Sequence, residues 1–377
     1  MSKQRALSLP DKLKQNNVQE RIKSLFINKE KNGPWVIELD PTTACNLACH
    51  DCISANLLNQ GGIEPQRLLK LADEFKEAGV KAVVLIGGGE PMAHKEFGNI
   101  IEAFGKRDLH TGVTTNGTLM KKHLDTCADN VSWLRVSVDA GSAEIFQEFR
   151  PHISGKSQFD LVISNMKEFA KKKKGILGYS FLLLSKFDKD GNFQSTNAVD
   201  IEKAGILAKE IGRDYFEVKP AFDMMHYLQS QDSKVTEISN EQLQKVNKLN
   251  SDSFQVIAPY TLEEALKGDN IQPKNYDKCL VADMRTVVSP SGVYVCPYHR
   301  GNLNMRIGDI NKESFKEISR VTKANAFIVN DAWRDFAGKQ SMLKWNLTAL
   351  TYMSCNEWED FFEEVGYEGD YYWFFAK

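Results

Sequence analysis

Strand and helix signals alternate six times between residues 35 and 220. This predicts an α/β fold whose parallel sheet winds into an open or partial barrel. Two further observations support it. Residues 82–86, Ala-Val-Val-Leu-Ile, form an unbroken apolar run, as expected of a strand covered on both faces. The connections are short, so successive strands run parallel with a helix crossing between them.

The elements follow in order. Residues 1–34 read as a helical lead-in ending at Gly33-Pro34, and residues 36–39 as the first strand. Pro65 opens a helix with Leu68, Leu71, Ala72 and Phe75 on one face, and Gly79 ends it. Residues 81–87 form the second strand. Phe97, Ile100, Ile101 and Phe104 mark the next helix. A third strand is expected at 109–115, a helix at 119–128 and a fourth strand at 133–138. Phe159, Val162, Ile163, Met166 and Phe169 mark a long helix. A fifth strand at 179–184, a helix at 201–211 and a sixth strand at 215–219 complete the barrel. Beyond about Gln229 the alternation is expected to stop. A polar helical segment at 240–249 is followed by a hairpin at 285–296, with strands at 286–288 and 293–295. The aromatic, acidic tail at 358–375 is expected to pack on the barrel or cover its open side. The implied domains are 1–34, 35–228, a linker at 229–270, and 271–377.

The 377 residues are 42% hydrophobic and 26% charged, with net charge -2. That balance gives no general electrostatic case for nucleic acid or an anionic membrane. The four lysines at 171–174 end an amphipathic pattern and read as a solvated helix C-terminus. No apolar stretch is long enough to span a bilayer, and residues 1–15 carry no apolar signal segment. A cytoplasmic protein with reduced cysteines is expected.

Cys45, Cys49 and Cys52 fall within eight residues, directly after the first strand. Three thiolates this close can hold three irons of a cubane cluster and leave the fourth iron open. A cluster used only for electron transfer normally has four protein ligands, so the spacing points to a catalytic one. A structural zinc site would need a fourth ligand, from His50 or a distant residue. A disulfide scaffold does not suit this length or an odd cysteine count. In parallel sheets chemistry collects at the carboxyl ends of strands, and the other motifs fall there. Gly87-Gly88-Gly89-Glu90-Pro91 follows strand two, Thr115-Asn116-Gly117 follows strand three, and Ser137 and Asp139 end strand four. Each alone is an ordinary loop or cap; their order gives them weight. Cys127 lies on a helix pattern and reads as structural.

With these motifs in place, residues 35–220 resemble the radical S-adenosylmethionine (SAM) superfamily. The resemblance implies a partial (β/α)6 TIM-like barrel with a small C-terminal auxiliary-cluster domain. In that family SAM chelates the open iron through its amino and carboxylate groups. The reduced [4Fe–4S] cluster cleaves SAM to methionine and a 5′-deoxyadenosyl radical, which takes a hydrogen atom from the substrate. Carried across, Cys45, Cys49 and Cys52 would bind the cluster. Gly88, Gly89 and Glu90 would face the SAM amino group. Ser137 and Asp139 would lie near its ribose or carboxylate, with Asn116 on the third strand's loop. Arg150 would pair with the SAM carboxylate. Many relatives carry an aromatic residue just before the third cysteine; here it is Asp51, after His50.

The stretch from Cys279 to Cys296-Pro297-Tyr298-His299, with Ile307-Gly308-Asp309-Ile310, resembles the auxiliary-cluster domains called SPASM or, when shorter, Twitch. Cys355 would be a late ligand. Three cysteines leave one iron of an auxiliary [4Fe–4S] cluster for His299, an aspartate or the substrate. Alternatively one of these thiols is a hydrogen-atom donor, or they are ordinary buried cysteines. An auxiliary cluster would favour oxidation, such as dehydrogenation of a sugar or aminocyclitol carbon. A donor thiol would favour epimerisation, and a peptide substrate is the third option. Glu217 and Lys219, with Asp223 and His226 beyond, would point towards a small polar substrate or form a salt-bridged strand end. A flavodoxin- or ferredoxin-type donor is implied. A non-catalytic iron–sulfur or zinc module would need neither the glycine–glutamate nor the Ser-x-Asp element.

Overall fold

The computed structural model describes residues 14–28, 33–222, 231–267 and 279–310, together with 332–333, 353–354 and 360. The lead-in contains helix α1 (Asn16–Ile22). Strand β1 (Val36–Leu39) is followed by α2 (Pro65–Glu77), β2 (Ala82–Leu85), α3 (Phe97–Gly105) and β3 (His110–Thr115). Pro65 takes the first helical turn of α2, where its missing N–H has no partner to lose. The expected helix at 119–128 begins as a 3-10 turn (Met120–His123) and becomes α4 at Leu124–Asn130.

Strand β4 (Trp133–Ser137) leads to α5 (Ala143–Phe149), α6 (Phe159–Lys172) and β5 (Ile176–Leu183). Strand β5 starts three residues earlier than its apolar pattern suggests, because Ile176, Leu177 and Gly178 pair with Trp133, Leu134 and Arg135. Helix α5 was not expected: it is short, and only Phe146 and Phe149 of it are buried. A small hairpin, β6 (Ser185–Phe187) and β7 (Phe193–Thr196), was also unforeseen. Helix α7 (Ile201–Glu210) and β8 (Tyr215–Pro220) match expectation.

Beyond β8 the structure corrects the sequence reading. Helix α8 (Ser233–Val246) crosses back, and β9 (Gln255–Ile257) pairs parallel to β8, so the alternation continues for one more unit. Helix α9 (Tyr260–Ala265) follows. The expected hairpin is present as β10 (Arg285–Ser289) and β11 (Gly292–Tyr294), joined by β12 (Arg306–Gly308). Strand β10 pairs parallel to β1, so the hairpin extends the main sheet. The result is a ten-stranded sheet in the order β12-β11-β10-β1-β2-β3-β4-β5-β8-β9, parallel from β10 to β9.

One face of the sheet buries the core. Ile37, Leu39, Val83, Leu85, Val113 and Val136 are wholly shielded and share a cluster with Phe75, Phe104 and Phe146 of the helices. Each such side chain contributes roughly 1.5–3 kcal/mol. Side chains at alternate positions point to the other face, and these build the site.

The chain divides into compact units at 1–324 and 325–377. In the second, β13 (Ala332–Trp333) pairs parallel to β14 (Met353–Ser354). Cys355, Asp223 and His226 lie outside the described residues, as does the tail at 358–375 apart from Asp360. No helix among the described residues is long and apolar enough to cross a membrane.

Candidate functional site

The loop after β1 carries the three cysteines and is fastened on several sides. Thr43 donates its hydroxyl to Gly61 O at 2.8 Å and accepts from Gln60 N at 2.8 Å. The Cys45 N–H donates to Asn59 Oδ1 at 3.3 Å. Ala48 N donates to Pro151 O at 2.8 Å, and Ile153 N to Asn46 O at 3.1 Å, so the loop pairs with the segment after α5. Asn46 Nδ2 donates to Thr118 Oγ1 at 2.9 Å, and Asn116 Nδ2 to Asn46 Oδ1 at 2.9 Å. All three cysteines are partly exposed. Sequence reasoning missed Asn46 and Thr118; the only signal was an asparagine inside the cysteine spacing and a threonine after Asn116-Gly117.

The glycine–glutamate loop packs against the cysteine loop. Gly88 has φ +81, which glycine adopts without strain. A Cβ on Gly89 would lie 2.4 Å from Ala44 O and 2.5 Å from Thr43 C, so only glycine permits this approach. The Glu90 N–H donates to Ala44 O at 2.8 Å. The Glu90 carboxylate is buried and accepts from Thr115 Oγ1 at 2.6 Å, Asn116 N at 2.7 Å and Met92 N at 3.1 Å. Burial raises its pKa, while these three donors act the other way. Glu90 therefore ties β2 to β3 as well as flanking the site.

Asn116 reaches the cysteines directly: its Nδ2 lies 4.0 Å from Cys45 Sγ. Ser137 ends β4 half-buried. Asp139 is buried in a left-handed conformation, φ 57, uncommon outside glycine. It forms an ion pair with Arg150 and accepts from Leu182 N at 2.7 Å. Arg150 is thereby held beside Cys45 and Cys49, and its buried Nε has no partner among the described residues. Burial pushes the Cys45 thiol up to about 11 and raises Cys49; Arg150 opposes both shifts. Asp51 faces His50 Nδ1 at 3.2 Å. Cys127 sits buried on α4, its thiol pushed up to about 12 by burial.

A second layer comes from the C-terminal hairpin and was not legible in sequence. Arg300 donates to Asp40 and lies 3.5 Å from Glu38, while Arg285 lies 2.9 Å from Glu38. Arg300 also packs on Gly87, and Gly301 on Leu57 of the loop that follows Cys52. Burial pushes Asp40 up to about 6 against the pull of Arg300. Cys296 is partly exposed and Cys279 exposed. His299 Nδ1 is buried without a partner among the described residues, and burial lowers the ring's pKa. On the sheet's polar face, Glu217 and Lys219 of β8 lie with Arg135 of β4.

Among the described residues no three of His, Cys, Asp and Glu converge on a single metal ion. A cubane places each thiolate on a different iron, so its ligands stand wider apart than those of one ion. Three partly exposed cysteines on a fastened loop fit such a cluster. The Arg150 cation and the Asn116 amide beside them suit a negatively charged sulfur cage. Deprotonating thiols raised by burial would fall to the metal.

Residues 39–195 match the family described as "Radical SAM superfamily". Over 131 residues the chain is 34% identical to GTP 3′,8-cyclase of Synechocystis sp., covering 33% of this chain and 38% of that protein. Over 282 residues it is 23% identical to mycofactocin maturase MftC of Mycobacterium tuberculosis, covering 71% of this chain and 65% of that one. The chain thus spans less than two thirds of the length of either relative. The crystal structure of Streptococcus suis SuiB bound to precursor peptide SuiA is similar with TM-score 0.58 at 16% identity, over 85% of this chain and 72% of that one. At that identity the likeness is one of fold, and it agrees with the expected α/β architecture.

Proposed function

The chain carries a radical SAM domain across residues 39–195, and from that premise we propose that it is a radical SAM enzyme that takes a hydrogen atom from a polar substrate. One observation carries the reading: three thiols on a loop fastened to the β2 and β3 loops, with a buried arginine held against them. Cys45, Cys49 and Cys52 would hold a [4Fe–4S] cluster. When bound there, such a cluster would supply the electron for reductive cleavage of SAM.

The chain's own residues have definable tasks. Gly88 and Gly89 let backbone approach the cofactor closely. Arg150, already oriented by Asp139, offers its free Nε to the SAM carboxylate. Ser137, at the end of β4, would meet the ribose. Glu217 and Lys219, with Arg135 beside them on the sheet's polar face, would point towards the substrate. Cys279, Cys296, Cys355 and the unpartnered Nδ1 of His299 are the candidate ligands of an auxiliary [4Fe–4S] cluster. Such a cluster would accept the electron left on the substrate, which favours dehydrogenation of a sugar- or aminocyclitol-like carbon. The protein's electron donor would be of flavodoxin or ferredoxin type.

The precursor peptide bound in the similar SuiB structure, together with the similarity to mycofactocin maturase MftC across 71% of the chain, favours a second reading, in which the substrate is a peptide. The two separate by whether small polyols or peptides stimulate 5′-deoxyadenosine formation. The test of the primary reading is 5′-deoxyadenosine production by the anaerobically reconstituted, reduced protein. Cys45→Ala should abolish it. Retained production in that variant would sink the assignment.

A further inference from the structure

On β4 the side chains of Trp133, Arg135 and Ser137 share one face, with the core residues Leu134 and Val136 on the other. Arg135 thus lies one pleat, about 6.6 Å, below Ser137 on the polar face of the sheet. Strand pairing sets Arg135 level with Thr114 and Gly178, and Glu217 level with Ser180 and Ser137. The intervening strand offers only Gly178 and Ser180 at those levels, and the Tyr215 ring of β8 lies over Gly178, beside Arg135 and Glu217. Lys219 stands one pleat above Glu217.

These three charges do not close on themselves. Arg135 Nη1 and Lys219 Nζ both approach the same oxygen, Glu217 Oε2, at 3.4 and 3.8 Å. Neither contact has the short, bidentate geometry of a saturated pair. Arg135 Nη2 adds a long bond to Thr114 Oγ1 at 3.3 Å, and its Nε is buried without a partner among the described residues. Among the described residues no other carboxylate lies within ion-pair distance of either cation. The Trp133 ring, 5.7 Å from the guanidinium, holds Arg135 in place. Two cations sharing one carboxylate leave a net positive charge in a largely buried position, and such a charge is costly without an anion. Burial, and after it the neighbouring Arg135, lower Lys219 to about 8 against the opposing pull of Glu217 and Asp139.

We propose that Arg135 and Lys219 form a subsite for an anionic group of the substrate, a carboxylate or a phosphate. The inference deepens the proposed function and rests on it. The anion bridges the guanidinium Nε and the ammonium group. Glu217 is the internal placeholder that it partly displaces. The substrate's anionic end then sits beside the level of Ser137, between Arg135 below and Lys219 above.

The test is calorimetric titration of full-length reconstituted protein at pH 7 with inorganic phosphate and, separately, with malonate, against chloride at equal ionic strength. Saturable binding of at least one probe is expected. Phosphate alone would mark a phosphorylated substrate, malonate alone a carboxylate, and both outcomes support the subsite. Arg135→Gln and Lys219→Gln should each weaken binding roughly tenfold or more. Glu217→Gln should strengthen it, because both cations are released; a purely structural ion-pair network gives no such gain. No saturable binding to the wild type, or equal binding by Arg135→Gln that is shown by its circular dichroism to be folded, would overturn the proposal. Formation of 5′-deoxyadenosine by the same wild-type preparation tests the radical SAM reading separately.

Discussion

At the scale of single residues, Glu90 shows how a motif can be legible while its task is not. The Gly-Gly-Gly-Glu-Pro run was recognisable after strand two, and its place beside the cysteine loop followed from strand order. The hydrogen bonds of its carboxylate did not, since Thr115 and Asn116 lie 25 and 26 residues away. Both oxygens are used, by donors from two loops. Glu90→Gln would turn an amide NH2 towards a backbone N–H, leaving a buried donor unsatisfied. Such a loss costs about 1–3 kcal/mol. Urea unfolding of the variant should show a fall of that size at unchanged slope. A change below about 0.5 kcal/mol, the usual range for surface substitutions, would mean the carboxylate is not the tie between β2 and β3. Asp139 carries a related lesson. Its place at a strand end was readable, but its left-handed backbone and its grip on Arg150 depend on the fold around it.

At the scale of elements, the strands with continuous apolar runs and the helices with clear periodicity were placed from sequence to within a few residues. The misses were short or decided at long range. Helix α5 spans seven residues and β9 three, too few to establish a period. The hairpin of β10 and β11 was visible through its turn, but nothing local says that β10 joins β1. The contact that follows, Arg300 on Asp40, closes a separation of 260 residues. Its signature is a pH dependence. Burial raises Asp40 from 3.8 to about 6, so the folded protein holds a proton that the unfolded chain has released. The stability this proton provides is present below about pH 4 and is lost as pH rises through about 6. Urea midpoints taken across that window should fall more steeply for wild type than for Asp40→Asn, which cannot titrate there. Parallel slopes would place Asp40 outside the network. Arg300→Met should be the more damaging change. It leaves the buried carboxylates short of a partner, and breaking such pairs costs about 3–5 kcal/mol.

For the molecule as a whole, the question is whether the sheet serves one iron–sulfur centre or two. Strand β1 leads into the Cys45 loop, and β11, in the same sheet, leads towards Cys296. The segment after Cys296 then packs back on the first site through Arg300 against Gly87 and Gly301 against Leu57. Damage to the second cysteine set can therefore be felt at the first by packing alone, so loss of turnover in a Cys279 variant would not by itself establish a second cluster. Iron content separates the possibilities. Two cubanes require about eight irons per chain, and replacing Cys45, Cys49 and Cys52 together by Ala should leave about four, with sulfide falling in parallel. In that case Cys279→Ala should keep SAM cleavage while stopping conversion of the substrate, because the second electron has no acceptor. About four irons falling to none would leave a single centre. The late thiols would then be candidate hydrogen-atom donors for an epimerase, and if Cys279 is the donor, Cys279→Ala should accumulate 5′-deoxyadenosine without the epimerised product.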